Sequence, residues 1–495
     1  MTATTDIVQK LWSLCHILRD DGITYLQYVT ELTYLLFLKM MQETENNHQL
    51  PEGCQWADLV KTGNPEKIDF YKELLTKLGK ASSPRVQAIF ANAQTSLKQP
   101  VILGKLVQSI DELDWYSAKV EGLGDLYEGL LAKNANEKKS GAGQYFTPRP
   151  LIDCMVALTQ PQAGELVQDP AAGTGGFLIA ADRFIKEQTD DLYDLSQEMQ
   201  NFQRQQAFYG IELVQDAHRL LLMNLMLHGI EGDVSLGDTL SSDGQRLKRA
   251  NVILTNPPFG TKKGGGLPSR DDFTYSTSNK QLAFLQHVYR SLKPGGRAAV
   301  VLPDNVLFED GQGRSIRADL MDKCNLHTIL RLPTGIFYAQ GVKTNVLFFQ
   351  RGTTERGNTQ AVWIYDMRTN MPSFGKRIPL TQDHFQEFEE CYGADPNGQS
   401  GSGAIEGNRR DQGELGRFRC FAREAIAKRG DNLDISWLRD ESLQSDELQE
   451  PEVIAAEILE RLKVATKEME SLMILLEGEE AAEAVTASVG LPLLE

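Results

Sequence analysis

The sequence predicts an α/β protein: a doubly wound, mostly parallel sheet, with a helical N-terminal domain before it and a helical C-terminal tail after it. Three observations carry this. Between about 145 and 370, short apolar runs of strand character alternate with helical runs. Over roughly the first 130 residues, apolar side chains instead recur at helical spacing. Near the end, Ile458, Leu462, Ala465, Met469, Leu472 and Leu476 recur every three or four residues among acids.

In chain order, residues 6–18 place Ile7, Leu11, Leu14 and Leu18 on one helical face, and TELTYLLFLKMM (30–41) and DFYKELLTKL (69–78) follow suit. The connector NEKKSGAG (136–143) closes this helical domain at residue 135. Strands are expected at 166–169, 207–213, 233–238, 251–255, 297–303, 326–333 and 344–350. A helix over 281–292 should stop at KPGG. Together, residues 136–390 form the sheet domain. Gly and Ser in DPNGQSGSGAIEGN (395–408) mark a flexible loop within 391–416. Residues 417–495 are expected to be helical and to dock a partner, although an ordinary helix packed on its own chain explains the repeat equally well.

The 495 residues give room for two or three domains. No apolar run reaches membrane-spanning length; LLLMNLMLHGI (220–230) is too short. No basic stretch followed by an apolar core opens the chain, so no secretion signal is expected. The six cysteines form no C-x-x-C and the seven histidines no H-E-x-x-H. That predicts neither a disulfide framework nor a metal site, and a cytoplasmic location. Net charge is −17, but residues 440–495 hold fifteen acids against three bases and so carry −12 of it. Residues 260–297 hold seven bases against two acids, so the whole-chain acidity does not exclude a nucleic-acid partner.

Four strand ends stand out. LVQDPAAGTGGF (166–177) puts Asp169, then Gly173, Thr174, Gly175 and Gly176, between a strand and a helix, where small residues allow a ligand close to free N–H groups. The dinucleotide pattern G-x-G-x-x-G fails at Leu178, and no G-K-[ST] follows for a P-loop. The second strand ends in Glu212, an acid placed to accept two ribose hydroxyls. A third ends in Asp238, and the fourth runs into Asn256, Pro257, Pro258 and Phe259. Four such tips on one rim predict a site.

The N-P-P-F corner suits a planar base bearing an exocyclic amine. The Asn256 amide oxygen and the Pro257 carbonyl can each accept an amine proton, and Phe259 can stack on the ring, a contact worth about 1–3 kcal/mol. The base must first leave its duplex. The rest is alignment of the amine with a methyl donor, with no side-chain nucleophile.

DPAAGTGGF, NPPF and GQYFTPRPL (143–151), with GDLYEGLLAKNA (124–135), VLPDNVLF (301–308) and GVKTNVLFF (341–349), resemble the modification subunits of type I restriction–modification systems. The resemblance implies a Rossmann-like S-adenosylmethionine-dependent methyltransferase. It implies cofactor contacts at Gln144, Tyr145, Phe146, Thr147, Pro148 and Arg149, and at Asp169, Gly173, Thr174, Gly175, Gly176 and Glu212. Asp238 would lie by the cofactor's adenine or the target base, and Asn256, Pro257, Pro258 and Phe259 would form the catalytic corner. The implied reaction methylates the 6-amino group of adenine in double-stranded DNA. The implied partners are a specificity subunit, shared by two modification subunits, and restriction subunits. Cytosine C5 chemistry needs a cysteine, typically after proline, and no cysteine here follows one. The 4-amino group of cytosine stays open. So do methylation of a protein glutamine or an RNA base, because related N-P-P corners serve those reactions, and a non-catalytic scaffold.

Overall fold

The computed structural model describes residues 3–14, 25–115, 124, 127–131, 147–260, 267–337, 342–375, 378–398 and 409–439, with 455, 459, 462 and 466. Gln144, Tyr145, Phe146, Lys262, Lys263, residues 399–408 and, apart from Leu462, the tail repeat lie outside the described residues.

The N-terminal part is helical: α1 (Ala3–Ser13), α2 (Tyr25–Glu43), α3 (Trp56–Lys61), α4 (Asn64–Leu78), α5 (Pro84–Ile89) and α6 (Pro100–Asp111). Proline opens α4, α5 and α6, where its missing N–H costs nothing. Ile7 and Leu11 are buried, as their spacing requires.

The strands are β1 (Val167–Asp169), β2 (Phe208–Glu212), β3 (Asp233–Leu236), β4 (Ala250–Thr255), β5 (Leu292–Pro303), β6 (Cys324–Arg331), β7 (Thr344–Arg351), β8 (Ala361–Asp366) and β9 (Phe418–Ala422). They form one sheet in the order β3-β2-β1-β4-β5-β7-β6-β8-β9. β7 runs antiparallel to both β5 and β6, whereas β3 to β5 are parallel. Chain order reverses between β1 and β4, the switch point at which ligands bind in such sheets.

Alternate residues of one strand enter different cores, which is what winding on both faces requires. Val252 and Leu254 of β4 join the core containing α7 (Arg149–Thr159), α8 (Gly176–Gln188) and the N-terminal helices. Ile253 instead joins Leu282 and Leu285 of a helix at Lys280–Ser291. That helix matches the expected one, and Asn279 caps it by accepting the Leu282 N–H.

Between β2 and β3 lies α9 (Gln215–Leu227), which the N-terminal helices cover. The buried Arg219 guanidinium donates to the carbonyls of Ile89 (2.7 Å) and Ala91 (3.0 Å), pairs with Asp216 and stacks on Tyr34. Arg85 reaches back to the carbonyls of Ile230 and Gly232.

The structure departs from expectation at the far edge. β8 was not foreseen. β9 lies inside the stretch 417–495 that was expected to be helical, so the sheet extends beyond residue 390. Within 391–416, Arg409 is buried against Tyr392 and donates to its carbonyl.

Candidate active site

β1 delivers Asp169 to the switch point, where Oδ1 accepts the Ala171 N–H at 3.0 Å. Burial pushes this carboxyl up to about 7, against the opposing pull of the Thr255 hydroxyl and the Ala171 N–H. The following turn needs glycine at Gly173 (φ 54°) and Gly175 (φ 88°). A methyl on Gly175 would also meet Leu221 of α9 at 2.7 Å. Asn224 of α9 donates to the Thr174 carbonyl at 2.9 Å.

Glu212 takes part in building the turn. Its Oε2 accepts the Gly173 N–H at 2.9 Å and its Oε1 the Val214 N–H at 2.8 Å. Burial raises its carboxyl, and these N–H groups oppose the rise. Lone pairs remain on both oxygens for a ligand. At the third tip, Asp238 accepts the Leu240 N–H, and the Thr239 hydroxyl donates to the Pro170 carbonyl at 2.5 Å, tying this tip to the Gly-rich turn.

β4 adjoins β1 and hands the chain to the corner. Asn256 Nδ2 donates to the Thr147 hydroxyl at 3.1 Å, which sets the amide's orientation. Its Oδ1 is buried with no partner. An orphaned acceptor costs about 1–3 kcal/mol, which a ligand amine would recover. Pro257 is buried and Pro258 exposed. Phe259 is half-buried and meets Phe337 edge to face, with ring centroids 6.2 Å apart. Pro148 leads into α7, whose first residue, Arg149, pairs with Glu128. Among the described residues no group of side chains could hold a metal ion.

Residues 118–445 match the family model described as N-6 DNA Methylase, and residues 7–110 match the HsdM N-terminal domain. The chain belongs to the N-6 DNA methylases. It is 52% identical to the EcoKI methylase subunit, a type I restriction enzyme component of Escherichia coli K12, over 94% of each chain. It is equally close to the StySPI methylase subunit of Salmonella potsdam. Among solved structures it resembles the EcoKI M protein, at 46% identity and TM-score 0.56 over 98% of this chain and 96% of that one. A chain from a type I R-M system superimposes with TM-score 0.71 at 26% identity, over 97% and 100% of the two chains.

In this N-6 DNA methylase the basic stretch 260–297 is not one phosphate-facing surface. Arg270 is buried, clamps Asp272 through two nitrogens and donates to the Thr239 carbonyl. Arg297 is spent on Glu165 and the carbonyls of Thr159 and Gln160. Conversely, three residues not singled out from the sequence lie at the rim. Leu213, directly after Glu212, is 61% exposed, and Leu236 of β3 is also exposed, so apolar surface lies open beside Glu212. Phe337 faces Phe259 from the β6–β7 connection; the aromatic in RLPTGIF was the only sequence signal for it.

Proposed function

We infer that this chain is the methyltransferase subunit of a type I restriction–modification enzyme, transferring a methyl group from S-adenosylmethionine to the 6-amino group of adenine in DNA. The orphaned Asn256 amide oxygen, at the end of the strand that adjoins β1, is the observation that carries the reading.

S-adenosylmethionine would supply an activated methyl group on a sulfonium cation. The residues fit it. Glu212 keeps acceptor capacity for ribose hydroxyls, Leu213 and Leu236 offer apolar surface for an adenine, and Gly173 to Gly176 leave backbone open to approach. Asp169 provides a carboxyl for positive charge. Thr147 and Pro148 enter from the other side, next to Asn256.

At the corner, Thr147 holds the Asn256 nitrogen, so the amide can present only oxygen to the target amine. That oxygen and the Pro257 carbonyl accept the two amine protons and leave the nitrogen lone pair aimed at the methyl group. Phe259 and Phe337 form two walls for the extruded base. The corner chemistry also fits the 4-amino group of cytosine; the family description favours adenine. Base-specific reading is assigned to a separate specificity subunit, because the described residues hold one sheet with its helices and no second base-reading domain. Two methylase subunits per specificity subunit, with restriction subunits added for cleavage, complete the proposed assembly. No helix among the described residues is long and apolar enough to cross a membrane.

Single-molecule sequencing of host DNA, with and without the gene, tests the reading. N6-methyladenine should vanish from one sequence motif in the deletion strain. Unchanged adenine methylation would favour a protein or RNA substrate.

A second test uses Asp169. A cationic ligand favours the carboxylate, so binding should release a proton wherever the free enzyme still holds one. Cofactor affinity should therefore rise with pH up to about 7 and level off above it. Calorimetry across pH 5.5–8.5 reads this, and Asp169→Asn should flatten the profile.

A further inference from the structure

The connection between β6 and β7 carries Phe337, and both of its feet converge on one guanidinium. Arg368, which follows β8, donates from Nε to the Leu332 carbonyl (3.0 Å) and from Nη2 to the Thr344 carbonyl (2.9 Å). Leu332 and Thr344 are the residues where the connection leaves β6 and re-enters β7. The same guanidinium clamps Asp304 at the tip of β5, with Nη1 to Oδ2 at 2.7 Å and Nη2 to Oδ1 at 2.9 Å. Asp304 grips the same feet independently. Its backbone N–H donates to the Lys343 carbonyl at 2.9 Å, and its Oδ1 accepts the Asn345 amide at 2.8 Å. Burial alone would raise the Asp304 carboxyl, but Arg368 and Asn345 hold it below its ordinary value. A further tie lies nearer Phe337: Phe374 N–H donates to the Thr334 carbonyl. Gly335, at φ 82°, could not bear a side chain because its Cβ would lie 2.0 Å from the Phe374 carbonyl.

We propose that Arg368, locked by Asp304, is a positioning residue for target-base capture: it closes the feet of the β6–β7 connection and so sets Phe337 against Phe259. This rests on the reading of those rings as walls of the base site. The Arg368 nitrogens are spent on Leu332, Thr344 and Asp304, so its action on the base site runs through Phe337. A fork is required, because four acceptors in different directions cannot be reached by a lysine ammonium on a flexible stem. Displacement of a reacting group by about 1 Å can cost 10²-fold in rate.

The test uses the complex assembled with its specificity subunit and duplex DNA bearing the target site. Arg368→Lys keeps the charge and loses the fork. Cofactor affinity should stay within about twofold of wild type, while kcat falls at least about tenfold. Permanganate reactivity of the thymine opposite the target adenine, which reports extrusion of the base, should fall with it. A purely structural role would lower folded protein and leave kcat per folded complex and thymine reactivity unchanged, which overturns the proposal. Should Arg368→Lys fail to fold, Asp304→Asn keeps the shape, removes one partner of the clamp, and is read the same way. Phe337→Ala separates the two levels. If it leaves thymine reactivity and kcat intact, the reading of Phe337 as a wall of the base site is wrong. If it lowers both and the Arg368 and Asp304 variants do not, only the positioning role falls.

Discussion

Asn256→Ala should slow methyl transfer by about 10²- to 10³-fold, the cost of removing one polar group aimed at the reacting centre. Cofactor affinity should fall far less, since the one bond lost is to Thr147 and the Gly-rich turn keeps its own partners. The loss should fall on kcat, because the amide oxygen bonds the amine most strongly as its nitrogen turns toward the methyl donor. Stability should not suffer much: alanine also removes a buried oxygen that has no partner. Asn256→Asp keeps an acceptor but adds charge and loses the donor to Thr147, and should be nearly as inactive. Methyl-transfer kinetics with the specificity subunit, beside calorimetry of cofactor binding, measure both. An alanine variant with wild-type kcat would rule out the corner as the catalytic centre.

Gly210→Ala should strongly impair folding. Gly210 lies in β2 directly opposite Asp169 of β1. A methyl there would lie 2.3 Å from the Asp169 carbonyl oxygen, and backbone cannot swing aside as a side chain can. The two strands must part. β1 has only three residues, so it has little pairing to give up. Overpacking typically costs about 1–3 kcal/mol, and a backbone clash at the sheet centre should reach at least the upper end. Asp169 and the Gly173–Glu212 hydrogen bond sit at the same point, so surviving protein should bind cofactor at least about tenfold more weakly. Thermal and urea unfolding, then calorimetry on the folded fraction, test this. A variant melting within about one degree of wild type would show that the strands accommodate the methyl.

Seven strands were legible because most are compact apolar runs bounded by turn residues, as NVILT before NPPF shows. β8 was missed although AVWIYD is itself an apolar run after the polar stretch 352–360; what no local pattern encodes is its parallel pairing with β6. β9 was hidden differently. FRCFA lies at the sheet edge with most of its side chains only partly buried, so its alternation is weak. The candidate site shows the same division. Asp169, Glu212 and Asn256 were readable because a strand end followed by a turn is a local event. Phe337 and Arg368 were not, since one depends on facing Phe259 and the other on four acceptors from separate segments. Arg270 and Arg297 show the reverse error: sequence counts charge, but only tertiary contacts reveal that a cation is already spent.

The helix α9 has a bearing on how this enzyme could be dissected. It holds the Gly-rich turn through Asn224 and Leu221, while Arg219, Met223 and Met226 are covered by α2 and α5 with their flanking loops. The matched segments 7–110 and 118–445 are therefore evolutionary modules whose seam is not a line of cleavage. A fragment begun at residue 118 would bare methionines and an arginine that keeps Asp216 but has lost the Ile89 and Ala91 carbonyls, and would loosen the scaffold behind its own Gly-rich turn. Amputation of the amino-terminal module should be read as injury to the proposed donor pocket before it is read as loss of a separate activity.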